Sequence, residues 1–247
     1  MPSPPDPRHA RSGPEDAAGR VALVIGGAGR IGAAVVEALA GRGWSVAIHA
    51  YRSLDRARTT AEALAARGLA ALAVTANLRD EGTVRALVHR VADHFGRIDA
   101  LVTCARSSRP TALADLTADD FRAHYEVNCI GTFVAVQEAG AVMAHQPTGG
   151  AIVMLGAAES VAPGAGTVAT AASLGVIPAL ARGLAVEFAI HNARVRVNAV
   201  LPEPECPAEP IAHTVLALID DESAAGACLQ IDSRGLVMPA RPPAARS

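Results

Sequence analysis

The sequence predicts an α/β fold, a single doubly wound Rossmann-fold domain with a parallel sheet of about seven strands and helices on both faces. Short, continuous apolar runs alternate with Ala-rich helical stretches through the middle of the chain, and glycines directly follow the first run. Hydrophobic residues make up 51% of the 247 positions. Continuous apolar strands separated by helices are typical of a parallel sheet that is covered on both faces.

Each predicted strand is short and rich in aliphatic or β-branched residues, with no charge at its centre. The predicted strands are 21–25, 45–50, 70–75, 98–103, 151–155, 195–201 and 228–231. Helical patterns lie between them, near 31–42, 54–67, 80–95, 117–145, 168–190 and 209–219. Right-handed crossovers then place these helices on the two faces of the sheet.

Two of the helices, 117–145 and 168–190, are long and apolar on more than one face. A helix that is apolar beyond its core stripe needs a second partner, which predicts association with a second copy or a related chain. The alternative is that the many alanines only reflect their high helix propensity.

The two ends differ from the middle in composition. Residues 1–20 hold five of the 16 prolines, and residues 239–247 hold three more. Such segments bury too little apolar area to offset the entropy lost on ordering. We therefore predict a disordered N-terminal tail over 1–19, one Rossmann-fold domain over 20–236 and a flexible C-terminal tail over 237–247.

Charge and composition exclude several function classes. The net charge is −2, from 22 basic and 24 acidic residues, and the chain has only 1 Trp, 2 Tyr and 4 Phe. This predicts no nucleic-acid partner.

No uninterrupted apolar run reaches the 18 or so residues of a membrane span, which predicts no membrane partner. The four cysteines and eight histidines lack metal-site spacing, which predicts no metal and a reducing compartment. Without a signal-like apolar segment at the start, we expect a cytoplasmic protein.

A glycine-rich turn lies between the first predicted strand and the first helix, in the run VALVIGGAGRIG. Gly26, Gly29 and Gly32 permit a tight turn, and a diphosphate can then approach the N-terminus of the helix that follows. The free N–H groups and the helix dipole favour negative charge there. A glycine turn that binds nothing is the alternative.

The second predicted strand ends in His49-Ala50-Tyr51-Arg52-Ser53, with no carboxylate before Asp55. An NAD site usually has Asp or Glu at this point to bind the ribose hydroxyls. Arg52 and Arg30 can instead converge on a 2′-phosphate, so NADP is favoured over NAD. A solvated charge at a helix start is the alternative for Arg52. We interpret His49 as a strand-end hydrogen bonder and not as a ligand.

These motifs resemble those of the short-chain dehydrogenase/reductase family over roughly residues 19–236. The GGAGRIG turn is similar to the family's TGxxxGxG, with Ile25 and Arg30 as departures, and HAYRS is similar to the HYHRS of its NADP-dependent pteridine reductase branch. HFGRIDALV, VNCIGTF and VRVNAVLP resemble three further family motifs. Asn128 lies in the second of these and matches the family's structural and catalytic asparagine.

The resemblance implies a set of cofactor-binding positions in this chain. Asn77 stands where the family has an acidic residue, and its amide is expected to reach the adenine. Arg106 replaces a small residue beside the cofactor, and it either pairs with a phosphate or crowds the site. The implied cofactor-binding residues are Gly26, Gly29, Arg30, Ile31, Gly32, Arg52, Ser53, Asn77, Leu78 and Ala105.

The family's chemistry, by the same resemblance, transfers a hydride to a carbonyl carbon while a tyrosine protonates the oxygen. A lysine lowers the pKa of that tyrosine, and a serine and an asparagine complete the site. In this chain Ala157 stands at the serine position, Thr170 at the tyrosine and Leu174 at the lysine. The chain has no lysine and no tyrosine after Tyr125. Asn128 and Thr170 are therefore the remaining catalytic candidates.

The segment that usually covers the substrate is also short, because Ile211 of the next helix follows only nine positions after Pro202. We therefore predict a non-catalytic or partner-dependent subunit that assembles with itself or with a catalytically intact family member through helices 117–145 and 168–190. One alternative is a weak NADPH-dependent carbonyl oxidoreductase. Another is altered, possibly non-redox, chemistry. Its candidate groups are Glu159, Ser160, Thr170, Ser173, Glu203, Glu205 and Cys206.

Overall fold

A computed structural model describes residues 19–160, 162–191 and 194–240, and eight strands form one sheet within these ranges. The strand order is β3-β2-β1-β4-β5-β6-β7-β8, with β1 to β7 parallel and β8 antiparallel to β7. The strands are β1 Val21–Ile25, β2 Ser45–His49, β3 Ala71–Val74, β4 Ala100–Thr103, β5 Gly150–Leu155, β6 Val195–Pro202, β7 Cys228–Ile231 and β8 Val237–Pro239.

The helices confirm the predicted alternation with the strands. They are α1 Arg30–Ala40, α2 Leu54–Ala66, α3 Glu81–Phe95, α4 Ala118–Tyr125, α5 Thr132–Ala144, α6 Val168–Leu174, α7 Ile177–His191 and α8 Ala208–Asp220. A π-helical turn, Glu126–Gly131, joins α4 to α5, and a 3₁₀ turn, Ala158–Ser160, follows β5. The predicted helix 117–145 is thus one continuous helical segment with a π-helical turn inside it.

Two apolar cores lie on opposite faces of the sheet, because successive side chains of a strand point to opposite faces. Val24 and Val102 belong to the core beneath α1, α2 and α8. Leu23 and Leu101 belong to the core beneath α3, α5 and α7. The strands are buried on both faces, which explains why they are continuous apolar runs in the sequence. The doubly wound fold class predicted from the sequence is confirmed.

The C-terminal boundary differs from the prediction. Residues 237–239 were assigned to a flexible tail, but they form β8, which pairs with β7. Asp232 turns the chain back, because its Oδ1 accepts hydrogen bonds from the backbone N–H groups of Arg234 and Leu236. β8 has only three residues and all three side chains are exposed, so no alternation of buried and exposed positions indicates the strand. Residues 1–18 and 241–247, which make up most of the two predicted tails, lie outside the described residues.

Two helical segments, Ala118–Ala144 and Val168–His191, are long and apolar enough to cross a membrane by length and average composition. An average over the window tolerates some polar residues, whereas the sequence prediction rested on an uninterrupted apolar run. The first segment packs over the sheet, and half of its most apolar window is buried there, but only 28% of the window in the second is buried. The second segment therefore leaves much of its apolar surface uncovered.

Candidate nucleotide-binding and active site

The glycine turn between β1 and α1 is packed so closely that side chains do not fit. Gly26 has a φ of +78°, and a Cβ on it would lie 2.6 Å from the backbone nitrogen of Ala105. A Cβ on Gly32 would lie 2.8 Å from the Cα of Gly27. Gly29 is the N-cap of α1, and no side chain caps this first turn. The backbone N–H groups of the helix start therefore remain available for an anion, as the sequence predicts.

Arginine side chains surround this turn in an arrangement that differs in part from the prediction. Arg52 lies on the exposed surface after β2, with its guanidinium 5.8 Å from the ring centre of Tyr51. Arg56 donates a hydrogen bond of 3.3 Å from Nη1 to the carbonyl of Ala28 within the turn. Arg56 was not among the predicted site residues, because it lies inside α2 and not at the end of β2.

Arg30 is directed elsewhere. Its Nη1 donates to the carbonyl oxygen of Cys206 at 2.9 Å, so it spans from the glycine turn to the loop after β6. In this structure Arg30 is therefore engaged on the β6 side, and Arg56 is an arginine with a hydrogen bond to the glycine turn. A sequence pattern cannot show this, because it does not give the direction of a long side chain.

The segment after β3 forms the adenine side of the predicted site. Asn77 uses its side-chain carbonyl to accept a hydrogen bond of 3.1 Å from the backbone N–H of Arg79. Leu78 is buried against the π-helical turn, where a Cβ on Gly131 would lie 2.9 Å from the Cβ of Leu78. This hydrogen bond fixes the orientation of the Asn77 side-chain amide, whose N–H groups can still donate to a ligand. The remaining predicted residues lie on the same edge: half-buried Ile31 and Ala105, and exposed Ser53, the N-cap of α2.

Asn128 lies in the π-helical turn and is buried with three hydrogen bonds. Its Oδ1 accepts from the backbone N–H of Ser107 at 2.7 Å, and its Nδ2 donates to the carbonyl of Ser107 and to Oγ of Ser173, both at 2.9 Å. The side chain thus ties the loop after β4 to helix α6. This arrangement engages both ends of the amide in structural contacts.

The three residues that the resemblance places at the family's serine, tyrosine and lysine positions are all buried. Ala157, after β5, has no exposed surface, and Thr170 is buried on α6. Leu174 is only 1% exposed and belongs to the same apolar core as Ile177 and Met154. The leucine at the lysine position is therefore a core residue in this fold.

The groups considered for altered chemistry have mostly structural contacts. Ser160 donates from Oγ to the carbonyl of Ala157 at 2.6 Å, and Glu203 accepts from the backbone N–H of Ser233 at 2.8 Å. Burial raises the pKa of the Cys206 thiol, which disfavours the thiolate that a nucleophile needs. Glu205 is exposed. Glu159 is the exception, because its Oε2 is buried and has no hydrogen-bond partner.

The loop over the substrate side is short, as predicted. β6 ends at Pro202 and α8 begins at Ala208, so residues 203–207 form the whole connection. In this family region a longer segment would exclude water from the reacting groups. A connection this short leaves little chain to cover the carboxyl end of β6.

Comparison with known proteins identifies the class. The family model described as short chain dehydrogenase matches residues 20–205. The 3-oxoacyl-[acyl-carrier-protein] reductase of Rattus norvegicus is 32% identical over 183 residues, 74% of each chain. A short-chain dehydrogenase of Burkholderia cenocepacia, solved in complex with NADP, has a TM-score of 0.81 and 32% identity and covers 88% of this chain and 98% of its own. A blue fluorescent protein from a metagenomic library, in complex with NADPH, has a TM-score of 0.80 and 30% identity and covers 87% and 97%.

The chain therefore belongs to the short-chain dehydrogenase/reductase family. Its curated relatives are named as oxidoreductases, and they include a second 3-oxoacyl-[acyl-carrier-protein] reductase, from Staphylococcus aureus, with 33% identity over 183 residues, 73% of this chain and 72% of that protein.

Proposed function

We propose that this chain is an NADP(H)-binding member of the family that carries out the usual carbonyl reduction very slowly or not at all, and that it acts as a non-catalytic or partner-dependent subunit. The observation that carries the proposal is the substitution of the reacting groups by Ala157, Thr170 and Leu174, with Leu174 built into the core. A threonine hydroxyl is a poor acid at neutral pH, and a leucine cannot depress a neighbour's pKa.

The magnitudes are large enough to decide between slow and ordinary catalysis. General acid catalysis contributes about 10²–10⁴ in rate. A donor that stabilises the oxyanion contributes roughly 10²–10³. These contributions do not simply add within one site, but losing both leaves a rate several decades lower. The short connection 203–207 compounds the loss, because it does not exclude water.

The residues present fit a dinucleotide, because the closely packed glycine turn leads into a helix whose first turn has no side-chain cap, so its backbone N–H groups can bind an anion. The N-terminus of α1 would hold the diphosphate, and Arg52 and Arg56 would hold a 2′-phosphate through charge-assisted hydrogen bonds. The segment after β2 has no carboxylate before Asp55 to favour NAD. NADPH, when bound, supplies the hydride of the family reaction. The two solved relatives named above, in complex with NADP and NADPH, support this choice.

A turnover assay tests the catalytic part of the proposal. We expect the purified protein with NADPH and 3-oxoacyl thioester or ketone substrates to turn over below about 0.1 per second, against a typical enzyme value of roughly 10 per second. The reductase from S. aureus serves as the positive control in the same assay. Turnover near one per second in this protein would overturn the proposal.

A thermal shift on the same samples shows whether the site is filled. NADPH at 100 times its Kd stabilises a protein by about 2.7 kcal/mol. For a chain of this size that raises Tm by roughly 5–10 °C. We expect a smaller shift with NADH, because it lacks the 2′-phosphate. If neither nucleotide moves the melting curve, NADP(H) binding has to be abandoned.

A second candidate function is supported by Glu159 at the carboxyl edge of the sheet, whose buried Oε2 has no hydrogen-bond partner among the described residues. An unpaired buried carboxylate oxygen is costly, and a proton or a ligand donor would remove that cost. An enzyme with altered chemistry would therefore use Glu159 as an acid or base. An activity that Glu159→Gln abolishes and Glu205→Gln leaves intact would favour this function.

We further propose that α7 pairs with α7 of a second copy of this chain. Val186 and Ile190 are 60% and 70% exposed, and at a spacing of four residues they share one helix face. Arg182 and Glu187 are both exposed on this helix. A two-fold pair of these helices would bury Val186 and Ile190 of both copies in one self-complementary interface.

We expect the double substitution Val186→Asp and Ile190→Asp to shift the protein from dimer or larger species to monomer, because it places charges in the apolar interface. Size-exclusion chromatography with light scattering measures this directly. Leu113→Asp is the matched control, since Leu113 is an equally exposed apolar residue in a loop. A wild-type protein that is monomeric alone, and dimeric only when co-expressed with an intact family member, would contradict self-pairing and favour a mixed assembly.

A further inference from the structure

His49, the last residue of β2, joins two segments that are far apart in the sequence. Its Nδ1 accepts a hydrogen bond of 3.1 Å from the backbone N–H of Gly26, and its Nε2 lies 3.1 Å from the carbonyl oxygen of Ala76. The side chain is buried, with 1% of its surface exposed. This confirms the prediction that His49 forms hydrogen bonds at the end of the strand. The sequence did not predict the two partners, Gly26 and Ala76.

The two partners fix the state of the imidazole. Because Nδ1 accepts from an N–H group, it carries no proton, and Nε2 therefore donates its hydrogen to the carbonyl of Ala76. Burial lowers the pKa of His49, although the hydrogen bond to Ala76 opposes this shift. A neutral ring with one acceptor and one donor matches the two backbone groups that it faces.

The joined segments are the two halves of the nucleotide site. Gly26 begins the glycine turn of the diphosphate side, and Ala76 directly precedes Asn77 and Leu78 of the adenine side. We propose that His49 is a positioning residue that fixes these two subsites relative to each other, so that the adenosine and diphosphate parts of NADP(H) bind together. This inference rests on the NADP(H) binding proposed above.

The effect on affinity follows from linking two binding events. A ligand that engages two subsites gains from the fixed distance between them, because binding at one raises the effective concentration at the other. Sites hold their geometry when supporting side chains lock the groups that touch the ligand. Without His49, each subsite would keep its own residues, but their separation would vary.

The experiment compares His49→Leu, which removes both hydrogen bonds, with His49→Gln, which keeps one acceptor and one donor. We expect His49→Leu to weaken NADPH binding about tenfold, the change that 1.4 kcal/mol produces. Binding of adenosine 2′-monophosphate, which occupies only the adenine side, should change less than about twofold, because it does not use the link between subsites. His49→Gln should recover part of the NADPH affinity. Isothermal titration measures both ligands.

Amide hydrogen exchange of the ligand-free protein gives a second readout, independent of NADPH. We expect His49→Leu to speed exchange in both 26–29 and 76–79. Val46→Ala is the control, because Val46 is buried on the same strand and its truncation lowers global stability without touching either segment's hydrogen bond to His49.

The outcomes separate the two proposals. Equal losses of affinity for NADPH and adenosine 2′-monophosphate, or unchanged exchange in either segment of His49→Leu, would overturn the positioning role. If Val46→Ala reproduces the His49→Leu pattern, the role is structural only, and the proposal also fails. If wild-type protein binds neither ligand, the cofactor proposal fails, while hydrogen exchange still decides whether His49 couples the segments.

Discussion

Gly32→Ala is expected to reduce the stabilisation by NADPH to about half or less of the wild-type value and to lower Tm. The added Cβ would lie 2.8 Å from the Cα of Gly27 and from the carbonyl carbon of Gly26, and closer still to the oxygen of that carbonyl. These are all backbone atoms, so no side-chain rotation relieves the overlap. Overpacking of this kind costs about 1–3 kcal/mol. Because the displaced atoms form the anion-binding turn, we expect NADPH affinity to fall at least about tenfold.

Gly164→Ala is the matched control for this substitution. A Cβ on Gly164 would meet nothing within 4 Å, and its φ lies outside the left-handed region. We expect its effect on the free energy of unfolding to stay within about 0.5 kcal/mol. Differential scanning fluorimetry with and without NADPH measures both variants. A Gly32→Ala protein that binds NADPH as tightly as the wild type would show that the glycine turn does not hold the diphosphate.

Asn128→Ala is expected to destabilise the fold by about 3 kcal/mol, because it leaves the backbone N–H and carbonyl of Ser107 without their buried partner. The same substitution removes the hydrogen bond to Oγ of Ser173. For a domain of this size we expect Tm to fall by roughly 6–12 °C. Thermal or urea unfolding checks this expectation.

Ser173→Ala separates the contributions to this network. It removes one acceptor from Asn128 but leaves both hydrogen bonds to Ser107 in place. We therefore expect a loss of about 1 kcal/mol, well below that of Asn128→Ala. Equal Tm values for Asn128→Ala and the wild type would contradict the tie between the β4 loop and α6.

The sheet could be predicted from the sequence because its strands are buried on both faces and so read as continuous apolar runs. The glycine turn was equally visible, since close backbone approach at Gly26 and Gly32 permits no side chain. β8 was missed because its three residues are exposed, and a turn organised by Asp232 positions it. The π-helical turn was missed because hydrophobic periodicity does not distinguish it from a regular helix.

For the candidate site, the sequence indicates residue types and their order along the chain, but not which atoms they contact. Residue identity showed that Ala157 and Leu174 cannot perform the family's acid chemistry, whatever the geometry. The direction of a long side chain depends on tertiary structure. The sequence therefore could not predict the contact of Arg56 with the glycine turn or that of Arg30 with Cys206. The link that His49 makes also depends on parallel strands bringing residues 26, 49 and 76 to one edge.

The packing of Leu174 has a consequence for how such a chain can change over evolutionary time. An ammonium group placed there would be surrounded by aliphatic side chains, and an unpaired buried charge is strongly unfavourable. A lysine at this position is therefore expected to weaken folding. Placing a cation there would require accompanying changes in the surrounding core, so the packing of Leu174 restricts single-residue replacement at this position.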